Sequence, residues 1–291
     1  MRALLRYLDV DLRPVSFPAT SRARTLAADA AWYPLLRAGR VDVLHCPTFR
    51  GPFRSRVPLV VTVHDLAVLR RPEWFNRWTR AYSRTAVPRV VRAATRVIAV
   101  SEFTRREIVD LLGVAEDRIT VVPNAVEDVF TPDGPRAAGE YVLAVGTLEP
   151  RKNLARVAAA VDSALRVVGA RGWGGVAAPP NVTWLGDVAD EELASLYRGA
   201  RCLVYASLYE GFGIPVAEAL ACGCAVVTSA GSAMAEIAAD DAVYVDPTDV
   251  DSIRAGVERA SAAAAPPRAR RVAEWPDVAA RTRAVYAEVV G

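Results

Sequence analysis

Lysine is all but missing. Thirty-five arginines and one lysine, Lys152, supply the 36 basic side chains of the 291 residues. Such a bias reflects genome composition, so the one position that keeps a compact ammonium is informative. Long apolar runs are also missing. Hydrophobic residues make up 52% of the chain, yet no stretch approaches the ~20 uninterrupted apolar residues of a membrane-spanning helix. The opening MRALLRYLDVDLRPV places charges where an export signal needs an apolar core, so a cytoplasmic location is expected. Cysteine is scarce. Cys46, Cys202, Cys222 and Cys224 lie in apolar surroundings, and the Cys-Gly-Cys pair has no second ligand pair and no nearby histidine. Buried, reduced thiols are expected rather than zinc ligands.

The charge that is present is unevenly spread. Residues 1–130 hold 21 Arg against 13 acids, a net +8, and the remainder holds 15 Lys+Arg against 20 acids, a net −5, which together give the chain's +3. The chain is longer than one hydrophobic core usually spans, which points to two domains. Short β-branched runs recur along it: RVDVLHCPTF, VPLVVTVHDL, TRVIAVSEFT and DRITVVPNAV, then YVLAVGTL, LRVVGA, NVTWLGDV, RCLVYAS, CAVVTS and AVYVDP. Helical or loop material separates them. Continuous apolar strands alternating with helices predict parallel sheets covered on both faces, an α/β protein of two doubly wound lobes. The turn-rich TPDGPRAAGE, Thr131 to Glu140, reads as the linker. The expected division is 1–133, 140–271, and a final amphipathic helix in 272–291.

In open α/β sheets ligands lie beyond the carboxyl ends of the strands, so TVHDL, GTLEPRKN and YEGFGIP are the loops where chemistry should gather. In the stretch YEGFGIPVAEALACGCAVV, Glu210 and Glu218 flank a turn made by Gly211, Gly213 and Pro215. Carboxylates accept hydrogen bonds from hydroxyls, and vicinal hydroxyls belong to sugars and ribose. Arg151 and Lys152, at another strand end before a helix, suit a diphosphate. Taken singly, each feature has a plain structural explanation: a first-turn glutamate is stabilised by the helix dipole, and an Arg-Lys pair is commonly solvated. Their order along one lobe fits hexose, diphosphate and ribose, the parts of a sugar nucleotide.

EGFGIPVAEALACGCAVVTS, with its Glu-x7-Glu spacing, resembles the signature of the retaining glycosyltransferases of family 4, which have the GT-B fold. GTLEPRKNL, TVHDL, VIAVSEFTRREI and VVPNAVEDVF resemble that family's other landmarks in order, from about Trp32 to the end. The resemblance implies two Rossmann-like parallel-sheet domains facing a cleft. It implies that Glu218 binds ribose hydroxyls and that Glu210, with the loop Gly211, Phe212, Gly213 and Ile214, holds the transferred hexose. Arg151 and Lys152 would neutralise the diphosphate, and His64 would face the transferred sugar. His64 and Glu210 are the catalytic positions it implies, and the last helix would return to the first domain. GTLEPRKN is most like the mannosyltransferase-like branch, which makes GDP-mannose the first donor expected and a UDP-glucose type the second. A glycan or lipid-linked molecule would be the acceptor, and no cofactor is implied.

The chain departs from the family at its start, where a strand and a glycine-rich loop are usual and the first glycine here is Gly39. The opening resembles the family's first helix and second strand, so the first domain is expected to be incomplete, with a central strand missing. A non-catalytic protein that binds nucleotide sugars is the alternative. Asp9/Asp11 and Asp249/Asp251 match Asp-x-Asp, but neither pair follows a strong strand, and no essential metal is expected. In Glu73 to Arg96, Arg77, Arg80 and Arg84 share a helical stripe near Trp74, Phe75, Trp78 and Tyr82, and Pro88 is expected to kink or interrupt the helix. Such a helix suits solvent or an anionic membrane surface at the inner face. Nucleic acid is a poorer partner, since the second lobe is acidic and carries no recognition motif.

Overall fold

The computed structural model describes residues 2–16, 21–37, 39–170, 172, 182–262 and 267–291. The chain forms two compact units, Met1–Pro123 with Trp275–Gly291, and Asn124–Glu274.

The first unit begins with α1 (Arg2–Tyr7) and α2 (Arg22–Ala27), the latter passing into a π-helical turn at Ala28–Trp32. Among the described residues four parallel strands follow, β1 (Leu44–Cys46), β2 (Leu59–Val63), β3 (Arg96–Ala99) and β4 (Ile119–Val121), paired in that order. All five residues of β2 are buried, as an unbroken Leu-Val-Val-Thr-Val run requires in a sheet covered on both faces. Between the strands lie α3 (Ala67–Arg70), α4 (Arg77–Ala93) and α5 (Glu102–Leu112). Ser101 caps α5 by accepting from the Thr104 amide, and Gly113 ends it in the left-handed region at φ 62°.

Two expectations for this unit are corrected. Residues 8–16 form no strand, and the four described strands pair in chain order with β1 at one edge. Pro88 does not interrupt α4, which runs continuously from Arg77 to Ala93. The carbonyl that Pro88 deprives of a donor is that of exposed Arg84, where water can serve it, while buried Val87, Val90 and Val91 hold the helix on the sheet.

The C-terminal helix α11 (Trp275–Val290) belongs to this unit and meets α1, burying Val278, Ala279 and Val285. Tyr286 Oη lies 2.6 Å from His45 Nδ1, and His45 Nε2 lies 2.8 Å from Thr62 Oγ1. Burial lowers the His45 pKa to about 4, with His64 adding to the effect. His45 is thus a neutral pin joining β1, β2 and α11.

The second unit holds β5 (Val142–Val145), α6 (Leu154–Ala160), β6 (Leu165–Val168), β7 (Val182–Gly186), α7 (Asp190–Gly199) and β8 (Cys202–Tyr205). It continues through α8 (Ile214–Ala221), β9 (Val226–Ser229), α9 (Ala233–Ala238), β10 (Ala242–Val245) and α10 (Val250–Ser261). Among its described residues six parallel strands lie in the order β10-β9-β8-β5-β6-β7. The chain therefore builds outward in one direction from β5 and in the other from β8, and the crevice between the ends of those two strands is the switch point where open α/β sheets bind ligands. The segment 131–140, read from sequence as the linker, lies within this unit, and the division falls earlier, at Pro123–Asn124. Arg198 donates to the carbonyls of Thr131 and Pro135, docking those turns against α7. Residues 263–266, in the stretch read as a hinge-like connection, lie outside the described residues. Asp249, half of one Asp-x-Asp match, caps α10 by accepting from the Asp251 amide. The four cysteines are free and buried.

Candidate active site

Two loops meet at the switch point. The first leaves β5 through Gly146 at φ 154°, where a Cβ would come within 3.1 Å of Lys152 Cδ. Gly169 is pressed on the same backbone, since a Cβ there would lie 2.4 Å from the Gly146 carbonyl oxygen. Pro150–Lys152 makes one 3₁₀ turn, and Asn153 follows at φ 58°. Its strained backbone is held by its own side chain, which donates to the carbonyls of Ala206 at 3.0 Å and Pro247 at 2.6 Å. The second loop follows β8, and the Leu208 amide donates to the Arg151 carbonyl at 2.8 Å, closing the loops on each other.

Glu210 sits where they join. Lys152 Nζ is 2.7 Å from its Oε1 and also donates to Tyr205 Oη at 2.6 Å, and Tyr205 Oη donates to the same Oε1 at 3.0 Å. Arg151 Nη1 donates to Glu210 Oε2 at 2.8 Å, and its Nε lies 2.7 Å from Glu149 Oε1. Exposure grades across this cluster. The acids lie deepest, with side chains 1% (Glu149) and 9% (Glu210) exposed, and the cations are shallower at 12% (Lys152) and 19% (Arg151). Burial pushes Glu210 toward its neutral form, but Lys152 and Arg151 overcome it and hold the carboxyl below its ordinary range. Glu149 goes the other way. Burial raises its pKa against the pull of Arg151 and Lys152, with Glu210 adding repulsion.

The sequence-derived residues therefore arrange differently from the simple expectation. Arg151, Lys152 and Glu210 come together, and each oxygen of Glu210 accepts from a cation, so the carboxylate is anchored in the loop junction. Glu218 stands apart from this cluster. It accepts from Tyr197 Oη at 2.9 Å, and burial raises its pKa to about 7 despite that hydrogen bond. Phe212 is buried and packs within the unit, whereas Ile214 is 43% exposed. Tyr205, Asn153, Glu149 and Tyr197 were not singled out from sequence. Asn153 closes GTLEPRKN and Tyr205 ends its strand, so strand-end position was the available signal.

Gly213 starts α8 at φ 91°, and a Cβ there would lie 2.8 Å from Cγ of fully buried Met234. Gly213→Ala is expected to lower unfolding stability by about 1–3 kcal/mol, through backbone strain and overpacking, measured by urea denaturation.

His64, in the first unit, follows β2. Its Nε2 is 3.0 Å from the Pro47 carbonyl oxygen, so that nitrogen carries the proton and Nδ1 is left as an acceptor. Burial lowers its pKa, although the Pro47 carbonyl and Asp65 oppose the shift. Among the described residues no group of three or more His, Cys, Asp or Glu side chains is placed to hold a metal ion.

Residues 5–130 match the model of Glycosyltransferase Family 4, and residues 176–274 match that of Glycosyl transferases group 1. The chain belongs to glycosyltransferase family 4. It is 32% identical over 261 residues to O-antigen chain mannosyltransferase B of Escherichia coli, an alignment covering 78% of this chain. The chain spans 66% of the length of that relative. Among solved structures it resembles a sucrose-phosphate synthase of Thermosynechococcus elongatus, with a TM-score of 0.63 at 20% identity over 92% of this chain and 75% of the other. It also resembles Anabaena HepE in complex with UDP and glucose, with a TM-score of 0.59 at 18% identity over 81% of this chain and 68% of the other. The family's fold is GT-B, and the two parallel-sheet α/β units have it.

Proposed function

We propose that this chain transfers a hexose, mannose first and glucose second, from a nucleoside diphosphate sugar to a hydroxyl of a glycan or lipid-linked acceptor, with retention at the anomeric carbon. The observation that carries this reading is the graded cluster at the switch point. Two cations face the crevice over two buried acids that fix their positions. A diphosphate entering there meets an ammonium and a guanidinium already oriented, so little reorganisation is needed as negative charge grows on the leaving group. The bond between the anomeric carbon and the phosphate oxygen breaks as the acceptor oxygen bonds that carbon, and the leaving phosphate takes the acceptor's proton. Glu210 and the Gly211–Gly213 loop lie beside the cations and suit the transferred hexose, while Glu218, on the far side of the turn, suits the ribose. The mannosyltransferase relative supports the sugar, and the HepE structure with UDP and glucose supports the kind of donor. No described helix is long and apolar enough to cross a membrane.

Calorimetric titration with GDP, UDP and ADP and their hexose conjugates tests this. GDP and GDP-mannose are expected to bind, and Arg151→Ala to weaken both by at least about tenfold, the worth of a charge-assisted hydrogen bond. A folded protein that binds none of the nucleotides overturns the reading.

A further inference from the structure

An ammonium on a flexible four-carbon stem, with three donors that rotate, does not by itself fix a point of positive charge in space. In this chain the one lysine is held at both ends. Gly146, whose missing Cβ leaves room for Lys152 Cγ and Cδ, confines the stem. Tyr205, at the end of β8, confines the head.

Lys152 Nζ, Tyr205 Oη and Glu210 Oε1 form a triangle with sides of 2.6, 3.0 and 2.7 Å. Counting hydrogens fixes the direction of each bond in it. Burial, with the Glu210 charge adding to it, holds the Tyr205 pKa well above its ordinary value although Arg151 opposes the shift, so the hydroxyl is protonated. Its one hydrogen goes to the carboxylate, which has none to give, and toward Lys152 the hydroxyl is an acceptor. The ammonium therefore gives one hydrogen to Oη and one to Oε1. Both acceptors lie on the buried side, since Tyr205 and Glu210 are buried and Lys152 is the shallower group. The described residues offer the third hydrogen no acceptor, and tetrahedral geometry points it away from the other two, toward the crevice.

Glu210 alone would neutralise Lys152 without orienting it, because an ammonium can roll across the broad arc of a carboxylate's lone pairs. A second acceptor at a fixed place removes that freedom. The 5.0 Å from Nζ to the Tyr205 ring centroid puts the ammonium beyond the hydroxyl, so the oxygen holds it and not the ring face. We propose that Tyr205 is a positioning residue for the transfer reaction, its hydroxyl aiming the third N–H of Lys152 at the diphosphate oxygen on which charge grows. The proposal rests on the glycosyl-transfer reading and assigns to it a residue that acts only through the lysine.

The test uses the full chain with its lysine labelled with carbon-13 at Cε, which gives one methylene signal because Lys152 is the one lysine of the sequence. GDP is titrated into the same sample, and steady-state GDP release is measured with GDP-mannose and methyl α-D-mannopyranoside. In the wild type the two Hε hydrogens are expected to be inequivalent before GDP is added, as a fixed head requires, and to shift on binding. Tyr205→Phe keeps the ring in the core and is expected to merge them. It should lower kcat about tenfold, less than the ~100-fold of deleting a transition-state donor outright, and leave KM and GDP affinity within about threefold. A variant that is only less stable, with wild-type kcat where it is folded, overturns the proposal. So does a rise in KM with kcat unchanged, which would make the hydroxyl a ground-state contact. Should Tyr205→Phe not fold, the wild-type spectrum decides: Hε hydrogens that average in the free protein and separate only with GDP show a head fixed by the ligand, which overturns the proposal. Transfer and GDP binding indifferent to Tyr205→Phe remove this proposal and leave the transfer reading standing. A wild type that neither binds GDP nor releases it from GDP-mannose removes the transfer reading itself.

Discussion

Lys152→Ala is expected to lower the transfer rate by about a hundredfold or more and unfolding stability by about 3 kcal/mol. The first loss follows from removing one of two preorganised cations. The second follows from burial, since Glu210 would keep its charge with Arg151 as its one remaining cation. Lys152→Arg is the sharper experiment. The lysine stem passes Gly146 so closely that a Cβ there would come within 3.1 Å of Lys152 Cδ, and its Nζ fits between Tyr205 Oη and Glu210 Oε1. A planar guanidinium is broader and delivers its donors as a fork, so it cannot occupy that point without displacing Tyr205 or the loop. Lys152→Arg is therefore expected to retain charge but not function, with stability about 1–3 kcal/mol below wild type. Steady-state kinetics together with urea denaturation read both effects. An arginine variant with wild-type rate and stability would show that charge alone matters there. A chain with 35 arginines and one lysine keeps the lysine at a site where shape excludes the alternative.

Much of this was legible in the sequence, and what was not shares one cause. All ten described strands answer to β-branched runs, because a strand covered on both faces must be largely apolar, a local property. The lone lysine and the Glu-x7-Glu spacing likewise marked the loops at which charge collects. Pairing order is not local. Nothing in YVLAVGTL or RCLVYAS states that β5 and β8 are neighbours, and that adjacency creates the switch point and lets Lys152 reach Glu210. The partners of Glu210 were therefore hidden, and a carboxylate expected to face sugar hydroxyls also pairs with Arg151 and Lys152. The linker was misplaced for a similar reason. Turn-rich composition at 131–140 is real, but Arg198, some sixty residues later, holds those turns in the second unit.

Glu218 contributes a pH dependence to the second unit that is opposed in the wild-type protein. Burial raises its pKa from 4.5 to about 7, so between those values the folded state holds a proton that the unfolded chain has released. Stability from this group is complete below pH 4.5 and declines as pH rises to 7, by about 3 kcal/mol at most. His45 acts in the opposite sense. Its pKa falls from 6.5 to about 4 on burial, so the unfolded chain binds the extra proton, and stability rises over nearly the same interval by a similar amount. The two slopes oppose each other in the intact protein. Glu218→Gln keeps an acceptor for Tyr197 and removes one slope, so its stability relative to wild type is expected to climb steadily from pH 4.5 to 7 in urea titrations. A pH-independent difference would show that Glu218 ionises normally. Ligand binding reads the same group from the other side. If ribose hydroxyls donate to Glu218, they favour its ionised form, so nucleotide affinity should rise with pH up to about 7, by as much as about tenfold per pH unit, and flatten above. Glu218→Gln should bind more weakly and without that slope. Calorimetry below pH 7 in buffers of different ionisation enthalpy should also detect a proton released on binding to wild type and none on binding to the variant. Weakened binding with the proton release intact would assign the titration to another group.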